Sequence, residues 1–254
     1  MPRDLIRIVL PLVLASGLAL AADQRRSGFE FMSSSTQQMQ QEDALNPGML
    51  WVAEGEALWN EAPAGAQSCA GCHGDAPAGM RGVAARYPAF DEHRKKPVDL
   101  QQRINSCRET RQQQPAFAAE SRALLGLSSY IGLQSRGLPV APPDDPRLQP
   151  ARLRGAALFN APMGQLNFSC AQCHTDNPGR RLAGSPIPQA HPTGYPIYRL
   201  EWQAMGSLQR RLRNCMTGVR AEPYPYGADE MVELELYLNT RAASMPVETP
   251  GVRP

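Results

Sequence analysis

The chain has 254 residues, enough for one large domain or two small ones. With 26 Lys and Arg against 24 Asp and Glu its net charge is +2, which excludes the strongly basic footprint of a general nucleic-acid binder. The 24 prolines and 21 glycines, with only 6% aromatic residues, imply much loop and small cores of the kind that often needs a covalent or metal staple.

Arg3 and Arg7 precede an apolar run from Ile8 to Leu20, and Ala19-Leu20-Ala21 supplies the small-x-small pattern read by a signal peptidase. Residues 1–21 are therefore expected to be a signal peptide, and the mature chain to be exported and soluble. The apolar run is short for a bilayer span, and an uncleaved anchor is the alternative. Residues 22–46 form a polar N-terminal extension, rich in Ser (Ser33, Ser34, Ser35) and Gln (Gln37, Gln38, Gln40, Gln41). It reads as a flexible leader or an arm lying on a partner.

Beyond this extension the chain repeats itself. Gly55-Glu-Ala-Leu-Trp-Asn60 matches Gly155-Ala-Ala-Leu-Phe-Asn160, and Ser68-Cys-Ala-Gly-Cys-His73 matches Ser169-Cys-Ala-Gln-Cys-His174. Leu100-Gln-Gln-Arg-Ile-Asn-Ser-Cys107 matches Leu208-Gln-Arg-Arg-Leu-Arg-Asn-Cys215. Leu127 and Tyr130 through Leu138-Pro-Val140 match Leu234 and Tyr237 through Met245-Pro-Val247. Four matched blocks in one order define two copies of a domain, residues 47–140 and 148–254, joined by a stiff Pro-rich linker over 141–147.

Each copy reads as helical. Met49, Val52, Ala53 and Ala57 give a stripe that predicts a helix ending near Asn60. Leu100, Ile104 and Cys107 fall at i, i+4 and i+7 on one face. Residues 229–241 put Met231, Leu234 and Leu238 on one face, with an acidic start and Arg241 at the end, as the helix dipole favours. No stretch shows strand alternation.

Cys69-Ala-Gly-Cys72-His73 and Cys170-Ala-Gln-Cys173-His174 carry the chemistry. Two thiols one helical turn apart can add to the two vinyl groups of one porphyrin, and the adjacent imidazole then lies under the iron. A zinc site or a redox dithiol is the alternative, and two copies at equivalent positions of a duplicated domain speak against it. Cys69, Cys72, Cys170 and Cys173 are expected to hold two covalent haems, with His73 and His174 as axial ligands. The fold class is mainly α, two tandem class I cytochrome c domains related by duplication.

Four groups compete for the sixth position at iron. Methionine is usual in class I domains and raises the potential, but Met216 aligns with Arg108, so the first copy has no methionine there. His93 and His191 follow their motifs at unequal distances and could give bis-histidine ligation. Cys107 and Cys215 align on matching helices; a disulfide between the copies or buried free thiols are their alternatives. Duplication favours them as ligands, because each copy keeps one cysteine at the same place relative to its haem motif. A thiolate ligand stabilises ferric iron, lowers the potential and keeps the sulfur deprotonated at neutral pH.

The copies differ in basic character. Arg103, Arg108 and Arg111 surround Cys107, whereas Arg210, Arg211, Arg213 and Arg220 surround Cys215. Arg103 and Arg211 each precede their cysteine by one helical turn, close enough to lie beside the sulfur. Arg211 reads as an oxyanion-binding guanidinium, and Arg210 and Arg213 as propionate partners or a solvated face. Gly218 and Pro223 suggest that the chain opens into a loop just after Cys215, leaving the sulfur near the surface. The combination points to a cysteine that accepts a sulfur species from an oxyanion and sends electrons into haem.

Two Cys-x-x-Cys-His domains, each with a lone downstream cysteine, and the run Arg211-Leu-Arg-Asn-Cys215-Met-Thr-Gly-Val-Arg220 resemble the SoxA family, in its dihaem form, of the SoxAX cytochromes of bacterial sulfur oxidation. The resemblance covers essentially the whole mature chain. It implies an L-cysteine S-thiosulfotransferase of the periplasm that joins thiosulfate oxidatively to a cysteine thiol of the carrier protein SoxYZ. Two electrons would leave toward an electron-accepting cytochrome c through the monohaem partner SoxX. It further implies His73 and Cys107 as axial ligands of the first haem, and His174 and Cys215 of the second. Cys215 would be the catalytic cysteine, carrying a persulfide, with Arg211 catalytic and substrate-binding and Arg241 a second substrate-binding arginine. Some relatives lack the first motif, so the first haem is implied to be a remnant or a structural staple. Two other functions stay open: a dihaem electron carrier without a substrate site, and carrier-independent oxidation of thiosulfate to tetrathionate.

Overall fold

The computed structural model describes residues 24–182 and 184–254; the expected signal peptide lies outside the described residues. In chain order its helices are α1 (Ser34–Gln41), α2 (Met49–Asn60), α3 (Cys69–His73), α4 (Ala76–Gly79), α5 (Leu100–Arg111), α6 (Arg122–Leu133), α7 (Gln149–Asn160), α8 (Cys170–His174), α9 (Leu208–Gly218) and α10 (Asp229–Arg241). The strands are β1 (Ala89–Asp91), β2 (Lys96–Val98), β3 (Arg181–Leu182), β4 (Ser185–Pro186), β5 (Ile197–Arg199), β6 (Ala204–Gly206) and β7 (Gly251–Arg253). Short polar caps set the helix starts: Ser68, Asp99, Ser121, Ser169 and Ser207 each accept a backbone N–H of the first turn.

Each copy is framed by a helix crossing that only a glycine permits. A Cβ on Gly55 of α2 would lie 2.1 Å from the carbonyl oxygen of Gly126 on α6. A Cβ on Gly155 of α7 would lie 2.0 Å from the carbonyl oxygen of Glu233 on α10. Backbone therefore rests on backbone, and apolar side chains close around the contact. Val52, Trp59, Leu127, Tyr130 and Ile131 build the first core; Phe159, Met216, Met231, Leu234 and Leu238 build the second.

The mainly α expectation holds, but the structure adds short strands that the sequence pattern did not show. β1 and β2 form a ribbon just before α5, and β5 and β6 form one just before α9. Three-residue strands are too short for an alternating pattern to be legible. Both ribbons follow a Tyr-Pro step, Tyr87-Pro88 and Tyr195-Pro196, so they correspond residue for residue and Asp91 occupies the place of Arg199. In the second copy β7 joins β5 in parallel, making the order β6-β5-β7.

The matched tails of the two copies pair with each other. Val140 N donates to Met245 O at 2.8 Å and Val247 N to Leu138 O at 2.9 Å, around a cluster of Ala85, Val140, Ala242, Met245 and Val247. The N-terminal arm also has a different place from the one expected: it lies on its own chain. Gln40 Oε1 accepts from Val252 N at 2.9 Å, Asn46 Nδ2 donates to Pro250 O at 2.9 Å, and Arg25 donates to Ala243 O at 2.7 Å. Capping serines at 27 and 33 turn this polar stretch into helical turns.

A cavity of about 640 Å³ between the copies holds two carboxyl groups, Asp99 and Glu235. Burial raises the Asp99 carboxyl to about 6, against the amide donors of Gln102 and Gln101. Burial, and then the neighbouring Asp99, push Glu235 well above the usual carboxylate range. Gln209 Nε2 donates to Asp99 Oδ2 at 2.8 Å. The folded protein thus holds protons that the unfolded chain has already released, so the stability they contribute is complete below about pH 4 and is lost as pH rises through about 6. Glu235→Gln, which mimics the protonated form, should raise stability at pH 8 by on the order of 1 kcal/mol and flatten the pH dependence; urea midpoints at pH 5 and pH 8 check this. Gly155→Val should cost about 3 kcal/mol or more by prising α7 from α10, seen as a lower urea midpoint than the wild type.

Candidate active site beside Cys215

The capping box of Ser169 and Gln172 starts α8 and presents Cys170, Cys173 and His174 on a single turn and a half. His174 Nδ1 lies 2.7 Å from Pro188 O. This carbonyl accepts a hydrogen bond from Nδ1–H and leaves the Nε2 lone pair for a metal, the usual second anchor of a ligating imidazole. Burial, joined by the charges of Arg211 and Arg241, lowers the His174 pKa despite the Pro188 bond, which keeps the ring neutral. Ser207 caps α9, which carries Arg211 and Cys215.

His174 and Cys215 line one cavity of about 170 Å³. Ile197, Leu208, Leu212 and Leu238 supply apolar wall, and Phe31 and Met32 of the N-terminal arm close part of it. An imidazole with a directed lone pair, two thiols one turn apart and a cleft with apolar wall and a cysteine fit a covalently attached haem. Among the described residues, no group of three or more His, Cys, Asp or Glu converges as a metal cluster, so the motifs do not form the four-ligand geometry of a zinc site.

The lone cysteines stay with their own copies. Burial pushes the Cys69 thiol up, with Cys107 the next contribution. Burial pushes Cys170 to about 11, with Cys215 next. Each downstream cysteine is thus an electrostatic neighbour of its own haem motif, and all six cysteines are free, so no bridge joins Cys107 to Cys215. Of the other ligand candidates, Met216 and His93 are not among the residues lining the cavity, whereas His191 is. Met216 is 3% exposed in the core with Phe159 and Met231. His93 is exposed on the turn between β1 and β2, its backbone N bound to Asp91 Oδ1 at 2.9 Å. His191 borders the cavity, with Nδ1 2.8 Å from Arg26 O. His93 follows the first ribbon's first strand whereas His191 precedes the second's, so the two are not equivalent.

The loop expected straight after Cys215 begins later. α9 runs on to Gly218, and Val219 N closes it on Cys215 O and Met216 O, both at 3.2 Å. Cys215 is half-buried and lines the cavity. Arg210 stacks on Trp202 at 4.1 Å, and Arg213 lies over Tyr226 at 4.6 Å and donates to Tyr224 O. Both serve packing. Arg211 lines the cavity. Burial acts to lower its pKa, but the Cys215 sulfur and then Tyr195 and Glu201 outweigh this and hold it above the ordinary arginine value. Arg241 is placed differently: it donates to Gln189 O at 3.2 Å and Thr175 Oγ1 at 3.4 Å and sits over Phe159 at 4.7 Å, beside the residue that follows His174. Sequence reasoning passed over Pro188, Tyr195 and Arg199, all of which line the cavity. Their signal was the correspondence of the two ribbons, hidden because the strands themselves were not legible.

Motif helix and paired framing helices, each present twice, with a carbonyl-anchored histidine in the second copy, make this a protein of tandem cytochrome c domains. The family model described as SoxA/TsdA, cytochrome c domain, matches residues 54–140 and 154–247. The L-cysteine S-thiosulfotransferase subunit SoxA of Pseudaminobacter salicylatoxidans is 37% identical over 234 residues, 91% of this chain and 82% of that protein. The protein of the same name from Paracoccus pantotrophus is 33% identical over 249 residues, 98% of this chain and 86% of its own length. The crystal structure of SoxXA from P. pantotrophus aligns with TM-score 0.87 at 33% identity, covering 91% of this chain and 87% of that one. The chain belongs to the SoxA family. Among the described residues no helix is long and apolar enough to cross a membrane.

The burial of Met216 and the placement of Cys215 predict opposite outcomes for two substitutions. Met216→Leu, a volume-conserving core change, should leave the visible haem spectrum unchanged. Cys215→Met should shift that spectrum and raise the potential of the second haem; redox titration reads both, and a spectral change in Met216→Leu would move the ligand to Met216.

Proposed function

We propose that this chain is the dihaem SoxA subunit of a periplasmic SoxAX-type cytochrome, an L-cysteine S-thiosulfotransferase that joins thiosulfate to a cysteine thiol of the carrier SoxYZ. The observation that carries the reading is that Arg211, Cys215 and His174 line one cavity, with the charge of Arg211 acting on the Cys215 sulfur. The net reaction forms one S–S bond between the carrier thiol and the sulfane sulfur of thiosulfate. It releases one proton and two electrons, leaving an S-thiosulfonate on the carrier.

Arg211 holds the sulfonate oxygens through two parallel N–H donors and favours negative charge on the Cys215 sulfur. Cys215 carries the sulfur as a persulfide intermediate, reached from a cavity whose leucines and isoleucine exclude water from the reacting sulfur. Arg241 is a second substrate-binding arginine by family resemblance, although its hydrogen bonds direct it toward Gln189 and Thr175. Cys170 and Cys173 would hold one haem c, with His174 and Cys215 as the residues that would ligate its iron, and Cys69 and Cys72 would hold a second, with His73 and Cys107. The haem, when bound, supplies one-electron acceptor chemistry. Pro188 keeps His174 in the ligating tautomer. SoxX, a monohaem cytochrome, is the heterodimer partner, a reading supported by the similarity to the solved SoxXA structure. An electron-accepting cytochrome c takes the two electrons onward, and the first haem serves as a structural staple.

Thiosulfate-dependent reduction of cytochrome c by this chain with SoxX and SoxYZ tests the proposal. Cys215→Ser should abolish it, Cys107→Ser should retain most of it, and mass spectrometry should find two haems on the chain. Retained turnover in Cys215→Ser would leave a plain electron carrier. Tetrathionate formed without SoxYZ would instead identify a carrier-independent thiosulfate oxidase.

A further inference from the structure

The two copies reverse one charge at the place where the ribbon meets the ligand helix. In the first copy that place is Asp91, whose side chain is 6% exposed. Asp91 Oδ1 is held by the backbone N–H groups of His93 at 2.9 Å and Arg94 at 2.8 Å, and its other oxygen lies 3.7 Å from Arg103. Arg103 is the counterpart of Arg211, so the arginine beside Cys107 already has a fixed counter-ion. In the second copy the same place is Arg199, at the end of β5, with its side chain 13% exposed.

Arg199 lines the Cys215 cavity together with Arg211. Its outer nitrogen pairs with Glu201 at 2.7 Å, but Glu201 is 62% exposed, so that pair is solvent-screened. Its inner Nε is buried and has no hydrogen-bond partner among the described residues. Burial, and then the charge of Arg211, lower the Arg199 pKa, the mark of two guanidinium groups acting on each other across a partly dry space. Such a pair is costly to bury unless an anion lies between its members.

We infer that Arg199 and Arg211 together form a two-guanidinium oxyanion site, and that Arg199 is the residue that makes the Cys215 cavity selective for a doubly charged sulfur oxyanion where Asp91 denies one to Cys107. This rests on the proposed reaction, in which thiosulfate is the oxyanion. A haem propionate is an anion of the same kind, and the experiment separates the two.

The complex of this chain with its cytochrome partner is prepared as wild type, Arg199→Gln and Arg199→Lys. Thiosulfate affinity is measured by calorimetry, KM and kcat by carrier-dependent cytochrome c reduction, and the potential of each haem by redox titration. Loss of a charge-assisted contact should weaken thiosulfate affinity and raise KM on the order of 10- to 100-fold in Arg199→Gln, with kcat and both potentials little changed and with partial recovery in Arg199→Lys. Unchanged affinity and KM overturn the inference. A shifted potential or spectrum of the second haem with unchanged KM also overturns it and assigns Arg199 to a propionate. Arg199-dependent thiosulfate binding in a wild type that transfers nothing to the carrier thiol would leave the anion site standing and remove the proposed reaction instead.

Discussion

The structure depends on the contact between α7 and α10 at Gly155, and on its twin between α2 and α6 at Gly55. With no side chain between them, the helix that leads into each haem motif and the last helix of each copy touch through their backbones. Everything around the second cavity follows from that contact. α10 comes close enough for Leu238 to form cavity wall and for Arg241, at its end, to hold the carbonyl of Gln189 next to Pro188. The carbonyl that orients His174 is therefore positioned by a helix crossing some distance along the chain. Glu233, whose carbonyl meets Gly155, is itself buried and paired with Arg154 at 2.6 Å, which ties the crossing to the face of α7.

One frame used twice allows the two sites to be compared position by position. Framing helices, motif helix, ribbon and cysteine helix are shared; charge is not. The matched tails pair across the junction through Leu138, Val140, Met245 and Val247, so sequence similarity and physical contact coincide there. The junction also places Asp99 and Glu235 on one cavity, whereas the corresponding positions, Ser207 and Ser128, are uncharged hydroxyls. The copies have diverged most where they meet and where the second one faces its cavity.

Much of this was legible in the chain. The stripe ending at Asn60 and the dipole-matched segment from Asp229 to Arg241 became α2 and α10 with those ends. Matched Gly55 and Gly155 announced themselves as a repeat, though not as a crossing, because a close approach is a property of two helices and one alone cannot reveal it. β1 and β5 escaped notice, being three residues long and stabilised by a neighbouring strand rather than by local alternation. The arm's partner was equally hidden: Ser33 and Gln40 state a capped polar helix, but only the fold brings Val252 to Gln40. Arg211 could be found from its spacing to Cys215, whereas Arg199 could not, since its equivalence to Asp91 depends on strand register.

That register carries the final step, how the charge around Cys215 differs from the charge around Cys107. The helical geometry is common to both: an arginine one turn before a half-buried cysteine. Arg103 is 47% exposed and faces a fixed carboxylate, so its field on the Cys107 sulfur is screened by solvent and opposed by Asp91. Arg211 borders a cleft walled in part by leucine, isoleucine and proline, and Arg199 at the equivalent place adds positive charge instead of removing it. In a low-dielectric site the same guanidinium acts several-fold more strongly than at the surface. One strand position, aspartate in one copy and arginine in the other, separates a site whose charge is internally neutralised from one whose charge is left for a ligand.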